Sequence, residues 1–166
     1  FEEYYSQLFG TRWQSLKDAL LGEPIYCEYN TGGEKPYFLD PGSVMAAQSL
    51  PLKDAEKLLD MCAAPGGNTL VLADNMEEDA SLDSNERSPD RKQRLDRVVA
   101  ESLPVSVSKR IKTSCSDCAT WWRRQTECYD RILLDAPCSS ERHVLADPKY
   151  LAQWTPNRIK TLSMEQ

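Results

Sequence analysis

From residue 56 onward, short apolar runs alternate with stretches in which apolar positions recur every three to four residues. "EKLLDM" (56–61), "ASLDSNE" (80–86), "RIKTSC" (110–115) and "DRILLDA" (130–136) predict strands, the second weak and the fourth of the buried type. "GNTLVLADNM" (67–76) and "SPDRKQRLDRVVAESL" (88–103) predict the helices between them, the latter with Pro89 in its first turn, where its missing N–H is no loss. A short helix before the last strand completes the alternation. That order predicts an α/β fold, a mostly parallel sheet with flanking helices, which takes its ligands at the carboxyl ends of its strands.

Upstream the pattern changes. Tyr5, Leu8, Phe9, Trp13, Leu16 and Leu20 lie near helical spacing, with Gly10 interrupting and Gly22 closing, so residues 2–21 predict one or two helices. Residues 23–42 are rich in Gly, Pro, Asn and Tyr and predict a connection with at most short strands. "SVMAAQSL" (43–50) predicts a short helix capped by Ser43. A helical segment and connection over 1–42 is therefore expected before a domain over 43–166. A chain of 166 residues suits one domain of this class. It begins with Phe and ends at Gln166 inside the helix expected after the fourth strand, so it reads as lacking residues at one end or both, its final strands among them.

Charge and cysteine content narrow the chemistry. A net charge of −6 argues against holding nucleic acid by bulk positive field, although basic clusters occur at Arg87, Arg91, Lys92, Arg94 and Arg97, at Lys109, Arg110 and Lys112, and at Arg123 and Arg124. Charge runs of this kind are most often solvated faces. No run of eighteen apolar residues exists, and the acidic, aromatic start is unlike a signal peptide, so neither a membrane span nor a targeting segment is expected. "CSDC" has zinc-like spacing, but no second pair accompanies it and His143 is the only histidine. No metal is expected, and the six cysteines read as free thiols.

The loop "CAAPGG" between the first sheet strand and its helix is small enough for a ligand to approach the backbone and the helix's unpaired N–H groups. It is neither a "GxxxxGK[ST]" phosphate loop nor "GxGxxG". A tight structural turn is the alternative. Against that alternative stand Glu86 after the second strand, where an acid meets ribose hydroxyls, Asp117 after the third and Asp135 after the fourth. Any one of these carboxylates alone reads as a cap or a solvated turn, but their recurrence at successive strand ends describes one crevice.

"LLDMCAAPGGNT", "NERSPDR", "SDC" and "YDRILLDAPCSSERH" resemble the successive motifs of the S-adenosylmethionine-dependent RNA 5-methylcytosine methyltransferases of the Nol/Nop/Sun family. "FEEYYSQLFGTRW" and "YFLDPGSVMAAQSL" resemble the segments before the first motif, and "ERH" is most similar to the mitochondrial rRNA-modifying branch. The resemblance implies a Rossmann-like class I methyltransferase. Cys62, Ala63, Ala64, Pro65, Gly66, Gly67 and Asn68 would line the methionine and ribose end of S-adenosylmethionine. Glu86 would hold the ribose, Arg91 would support it, Asp117 would lie near adenine, and Asp135 would border both cofactor and target base. Asn68 stands where the family usually has lysine, and Glu86 where aspartate is usual, which implies a weakened contact to Asp135 or substrate and reduced activity.

The implied reaction explains these residue types. Cytosine C5 is a poor nucleophile until a thiolate adds to C6, and a carboxyl group near N3 and the exocyclic amine stabilises the charge that develops. The target must also be unstacked. Asp135 and Cys138 are the expected catalytic pair. From the residues alone Cys138 reads as the nucleophile. The resemblance instead implies that it helps release the product, while a later cysteine beyond Gln166 attacks C6. The expected substrate is RNA, rRNA before tRNA, with a protein partner for its delivery among the expectations, in the cytoplasm or the mitochondrion. Two rivals remain: a DNA cytosine-5 methyltransferase with Cys138 as nucleophile, although Ser139 stands where its Pro-Cys-Gln context has glutamine, and a non-catalytic cofactor-binding module serving as an assembly partner.

Overall fold

A computed structural model describes residues 1–123 and 126–166, so Arg124 of the basic clusters lies outside the described residues. In chain order the elements are α1 (Glu2–Phe9), α2 (Trp13–Leu21), β1 (Cys27–Tyr29), β2 (Tyr37–Leu39), α3 (Pro41–Gln48), β3 (Lys57–Asp60), α4 (Gly67–Asn75) and β4 (Ser81–Glu86). There follow α5 (Pro89–Ser102), α6 (Val105–Ser108), β5 (Ile111–Cys115), β6 (Arg131–Leu133), α7 (Glu141–Ala146), α8 (Pro148–Gln153) and α9 (Pro156–Glu165). The short helix expected before the last strand is a 3-10 turn, Cys118–Arg123. The expected alternation is present from β3 to β6.

The described residues fall into two compact units, one of 1–24 with 137–166 and one of 25–136. The boundary expected at residue 42 falls inside the second of these.

The unit of residues 25–136 carries a four-stranded sheet in the order β5-β4-β3-β6, with every neighbouring pair parallel. Leu58, Leu59, Leu70, Leu72, Leu82 and Leu95 are fully buried around it. The weak apolar character of β4 is resolved by its place inside the sheet: its buried polar residues Ser84 and Asn85 have hydrogen-bond partners, which removes the penalty of burying them. The region expected as a mere connection forms an antiparallel hairpin, β1 with β2. Lys35 N donates to Glu101 O at 2.9 Å and Tyr29 Oη to Asp74 Oδ2 at 2.9 Å, fastening that hairpin to α5 and α4. Asp40 rather than Ser43 caps α3: its carboxylate accepts from Ser43 N at 3.0 Å and from Ser43 Oγ at 2.7 Å. The helix starts two residues earlier than expected because Pro41 suits a first helical position.

The other unit is built on aromatic rings. Tyr5 and Trp13 are buried, and their rings stack at 5.1 Å, with Phe1 at 4.6 Å from Tyr5 and 5.0 Å from Trp154. Tyr5 Oη donates to Glu141 Oε1 at 2.5 Å, and Arg142 donates to the carbonyls of Gly22 and Ala19, joining α7 to the N-terminal helices. The single helix expected after the fourth strand is three helices, α7 to α9, each opened at or near a proline or a capping residue.

Candidate functional site

The sheet order places a switch at β3. From β3 the chain moves outward through β4 to β5 and returns to the opposite side of β3 as β6, so the crevice that such sheets use lies at the carboxyl ends of β3 and β6. The loop leaving β3 is tied to both neighbours: Met61 N donates to Leu133 O at 3.0 Å, and Ala63 N to Asn85 O at 2.8 Å. Asn85 then collects the ends of three strands. Its Nδ2 donates to the carbonyls of Met61 (3.1 Å) and Ser116 (3.0 Å), and its Oδ1 accepts from Ser114 Oγ, Ser116 N and Ser116 Oγ.

A pocket of about 230 Å³ opens beside this loop. Of the loop residues singled out from sequence, Cys62, Ala63, Ala64, Pro65, Gly67 and Asn68 line it, and Asp135 faces the same space from the end of β6. The remaining wall comes from the hairpin and the start of α3, with Tyr26, Tyr37, Phe38, Leu39, Asp40 and Ser43. Gly66 is not part of the lining. At φ 124° it caps α4, and a Cβ there would meet Val98 Cγ1 at 2.8 Å, so its smallness serves the packing of the loop on α5. Gly67 has the same relation to the hairpin, where a Cβ would lie 3.3 Å from Leu39 Cδ1.

Arg91 straps the loop from α5: its guanidinium donates to Ala64 O and pairs with Glu86 Oε2 at 3.4 Å. Glu86 is buried and also accepts from Ser88 N at 2.8 Å. Glu86 and Arg91 are thus brought to the loop but do not line the pocket. Asp117 is exposed, and its Oδ1 accepts from Ala119 N at 3.1 Å, the capping role that one reading of the sequence gave it. The turn it caps nevertheless touches the loop, because Cys118 Sγ lies 4.0 Å from Cys62 Sγ. Burial, together with Cys118 and the nearby carboxylates of Glu86 and Asp60, pushes the Cys62 thiol up.

Asn68 Nδ2 donates to Asp135 Oδ2 at 3.0 Å, so the amide does reach the carboxylate that a lysine was expected to reach. Its Oδ1 is buried and unpartnered. Cys138 lies in the other unit, exposed, with its Sγ 3.9 Å from Ser140 Oγ. A larger cavity of about 490 Å³ in that unit is mostly apolar, and its charged groups Glu141 and Arg142 are already bonded to Tyr5 and to backbone carbonyls. The smaller pocket is the better candidate because helix α4, the loop and carboxylates converge on it.

Sequence reasoning missed Asp60, Asn85 and the aromatic wall. Asp60 closes β3, fully buried, with Oδ2 accepting from Thr69 Oγ1 at 2.8 Å and Oδ1 unpartnered. Burial, reinforced by the charges of Asp135 and Glu86 and opposed by Thr69, raises its pKa from 3.8 to about 7. An acid ending an otherwise apolar strand immediately before the small-residue loop was the available signal. Among the described residues no group of three or more His, Cys, Asp or Glu could hold a metal ion, and no helix is long and apolar enough to cross a membrane.

Residues 47–166 match the family described as 16S rRNA methyltransferase RsmB/F. This chain belongs to the RsmB/F family. Among curated relatives, the 5-cytosine rRNA methyltransferase NSUN4 of Bos taurus is 35% identical over 111 residues, 66% of this chain and 29% of that protein. The mitochondrial tRNA (cytosine(34)-C(5))-methyltransferase of Danio rerio is 31% identical over 121 residues, 72% of this chain and 33% of that protein. The RsmB/F chain therefore spans about a third of the length of these relatives. Among solved structures, NSun6 from Pyrococcus horikoshii with SFG superposes with a TM-score of 0.60 at 25% identity, over 80% of this chain and 32% of that one. The Nol/Nop/Sun resemblance read from the motifs and the Rossmann-like fold are both borne out.

Proposed function

We propose that the protein to which this chain belongs transfers a methyl group from S-adenosylmethionine to C5 of a cytosine in RNA, with rRNA the favoured substrate. The observation that carries this reading is the convergence of Asp135 and Asn68 on the small-residue loop at the switch point of the sheet, in a chain of the RsmB/F family. The cofactor fit rests on the backbone at Gly67, on the buried and unpartnered Asn68 Oδ1, and on the unpaired N–H groups of α4. The relative crystallised with SFG supports the same assignment. When bound, the cofactor supplies an electrophilic methyl on a sulfonium whose sulfur keeps the bonding pair on transfer.

The chain's own residues do the rest. Residues 62–68 seat the methionine and ribose end, Glu86 is the acid assigned to the ribose although it does not line the pocket, Arg91 fixes Glu86 and the loop, and Asp117 borders the adenine side. Asp135, oriented by Asn68, faces the ring of the target cytosine and stabilises the charge that develops at N3 and N4 once a thiolate has added to C6. Cys138 acts after transfer, when the C5 proton leaves and the C6–S bond breaks with its electron pair returning to the attacking sulfur. Residues 43–166 are read as part of the catalytic domain. The rRNA-modifying relative favours rRNA over tRNA, and the relative described as mitochondrial supports a mitochondrial site of action over a cytoplasmic one. A protein partner that delivers the RNA remains part of the reading.

The test is methyl transfer by the full-length protein from S-adenosylmethionine to rRNA transcripts, with 5-methylcytosine read by nucleoside mass spectrometry. The expected result is one cytosine modified, with Asp135→Ala reducing the rate by at least about a hundredfold. Modification at another atom, or an Asp135→Ala variant as fast as wild type, would overturn the assignment.

A further inference from the structure

We propose that the pocket beside α4 selects its ligand by charge, holding the sulfonium cofactor in preference to the neutral thioether that methyl transfer leaves behind, and that Asn68 sets this preference. The inference rests on the cofactor reading above and adds to it the discrimination between substrate and product forms.

The pocket is built for a cation. Two of its lining residues are acids, Asp40 and Asp135, and among the described residues no lysine or arginine lines it. The hydroxyl and backbone N–H of Ser43 hold the Asp40 carboxyl below its usual range, so it stands there as an anion. Tyr26, Tyr37 and Phe38 add aromatic rings, whose faces attract positive charge, and Tyr26 and Phe38 remain exposed.

Asn68 is the element that leaves this field intact. It orients Asp135 through a 3.0 Å hydrogen bond, but an amide carries no charge and so does not neutralise the carboxylate. The remaining carboxylates at the crevice do not reverse the balance. Glu86 is offset by Arg91 at 3.4 Å, and neither lines the pocket. Asp60, bonded to Thr69 in the first turn of α4, feels the charge of Asp135, which helps keep its own carboxyl raised. The N-terminus of α4, a helix of nine residues, supplies the complementary feature: it favours an anionic group on the same ligand.

A ligand suited to all of this carries a carboxylate at one end and a positive charge close by. The amino-acid end of S-adenosylmethionine has a carboxylate, an ammonium and the sulfonium. S-adenosylhomocysteine keeps the first two and loses the third. Only the lost charge distinguishes the two ligands, so the uncompensated Asp135 is felt as a difference in affinity between them. In a partly hydrated site, one such uncompensated charge amounts to a factor of roughly ten. The functional consequence is that product leaves the pocket more readily than substrate.

Isothermal titration of the full-length protein with S-adenosylmethionine and, separately, S-adenosylhomocysteine measures this ratio. Wild type is expected to bind the sulfonium form about tenfold tighter. Asn68→Lys, which sets an ammonium against Asp135, should bring the ratio near one, chiefly by weakening the sulfonium form. Asp135→Asn, which removes the charge at the other partner, should lower the ratio to a similar extent. Asn68→Gln keeps the charge balance and should keep the ratio even where both affinities fall. Both ligands binding with a ratio unchanged in Asn68→Lys and Asp135→Asn would overturn the charge selection while leaving the cofactor reading standing. Wild type binding neither ligand would overturn both.

Discussion

The loops that leave β3 and β6 border the same pocket, yet they are held in different ways. The first, residues 61–66, is fixed on every side: by Asn85 from β4, by Arg91 from α5, by the strand end of β6 through Met61, and by the fit of Gly66 against Val98. The second, residues 134–140, is held differently: Asp135 accepts from Asn68, and beyond residue 136 its ties include the exposed bonds by which Gln166 and Arg158 donate to the carbonyls of Pro137 and Ser139. It crosses from one compact unit into the other between Ala136 and Pro137, and it carries an exposed cysteine. A rigid seat suits a ligand that is bound the same way in every cycle. A loop held largely by exposed bonds suits residues that act in turn on a reacting ring.

The contrast predicts that variants in the second loop damage chemistry and spare stability, while variants around the first do the reverse. The largest expected effect is at Cys138. Cys138→Ala should stall release in the full-length enzyme, so that turnover falls at least about a hundredfold and a covalent protein–RNA adduct survives denaturing electrophoresis. Its unfolding free energy should stay within about 0.5 kcal/mol of wild type because the side chain is exposed. A variant with no adduct band and full loss of activity would make Cys138 the nucleophile instead.

Next in size is the pH response at Asp60. Its carboxyl is raised in the folded state to about 7 from an unfolded value near 3.8, so its contribution to stability is fully present below about pH 4 and is lost as pH rises through 7. Urea titrations at pH 4 and pH 8 should show wild type losing up to about 4 kcal/mol relative to Asp60→Asn. Parallel behaviour of the two proteins across that range would mean that Asp60 is not the buried acid described.

Asn85→Ala removes a side chain that ties the end of β4 to the ends of β3 and β5 and leaves their groups unpaired, and about 3 kcal/mol of destabilisation is expected in the same titrations. Arg91→Ala is milder, about 1 kcal/mol, because the guanidinium is half exposed and its pairing with Glu86 is partly screened by water. Its sharper signature is a loss of cofactor affinity by a few fold, since the carbonyl of Ala64 loses its anchor. An Arg91→Ala protein that loses more stability than Asn85→Ala would reverse the ranking of the two anchors.

What could be read from sequence divides along physical lines. The loop 62–68 was legible because small residues between an apolar run and a helical pattern have few uses, and the carboxylates were legible because they recur at strand ends. Asn85 was not, since a polar residue within a strand signals nothing until the sheet shows that it is buried and what it bonds, and Asp60 offered only its place at the end of an apolar run, with no trace of its burial. The hairpin wall was hidden for another reason: two strands of three residues each fall below the length at which alternation can be recognised. Ser43 reads as the cap of α3 as readily as Asp40 because both are capping residue types, and only the Pro41 position decides between them. The proximity of Cys62 and Cys118, 56 residues apart in sequence, depends on the closure of the sheet and leaves no local trace.

The contact of Gly66 with Val98 couples two positions 32 residues apart by volume alone. At 2.8 Å a methyl group on residue 66 finds no room unless residue 98 shrinks, so a change at one position alters which changes the other tolerates. Gly66→Ala should be rescued in part by Val98→Ala, and only in part, because φ 124° stays unfavourable for any side chain. In a drifting lineage residue 98 would then act as a gate on residue 66: the smaller side chain on the helix has to arrive first.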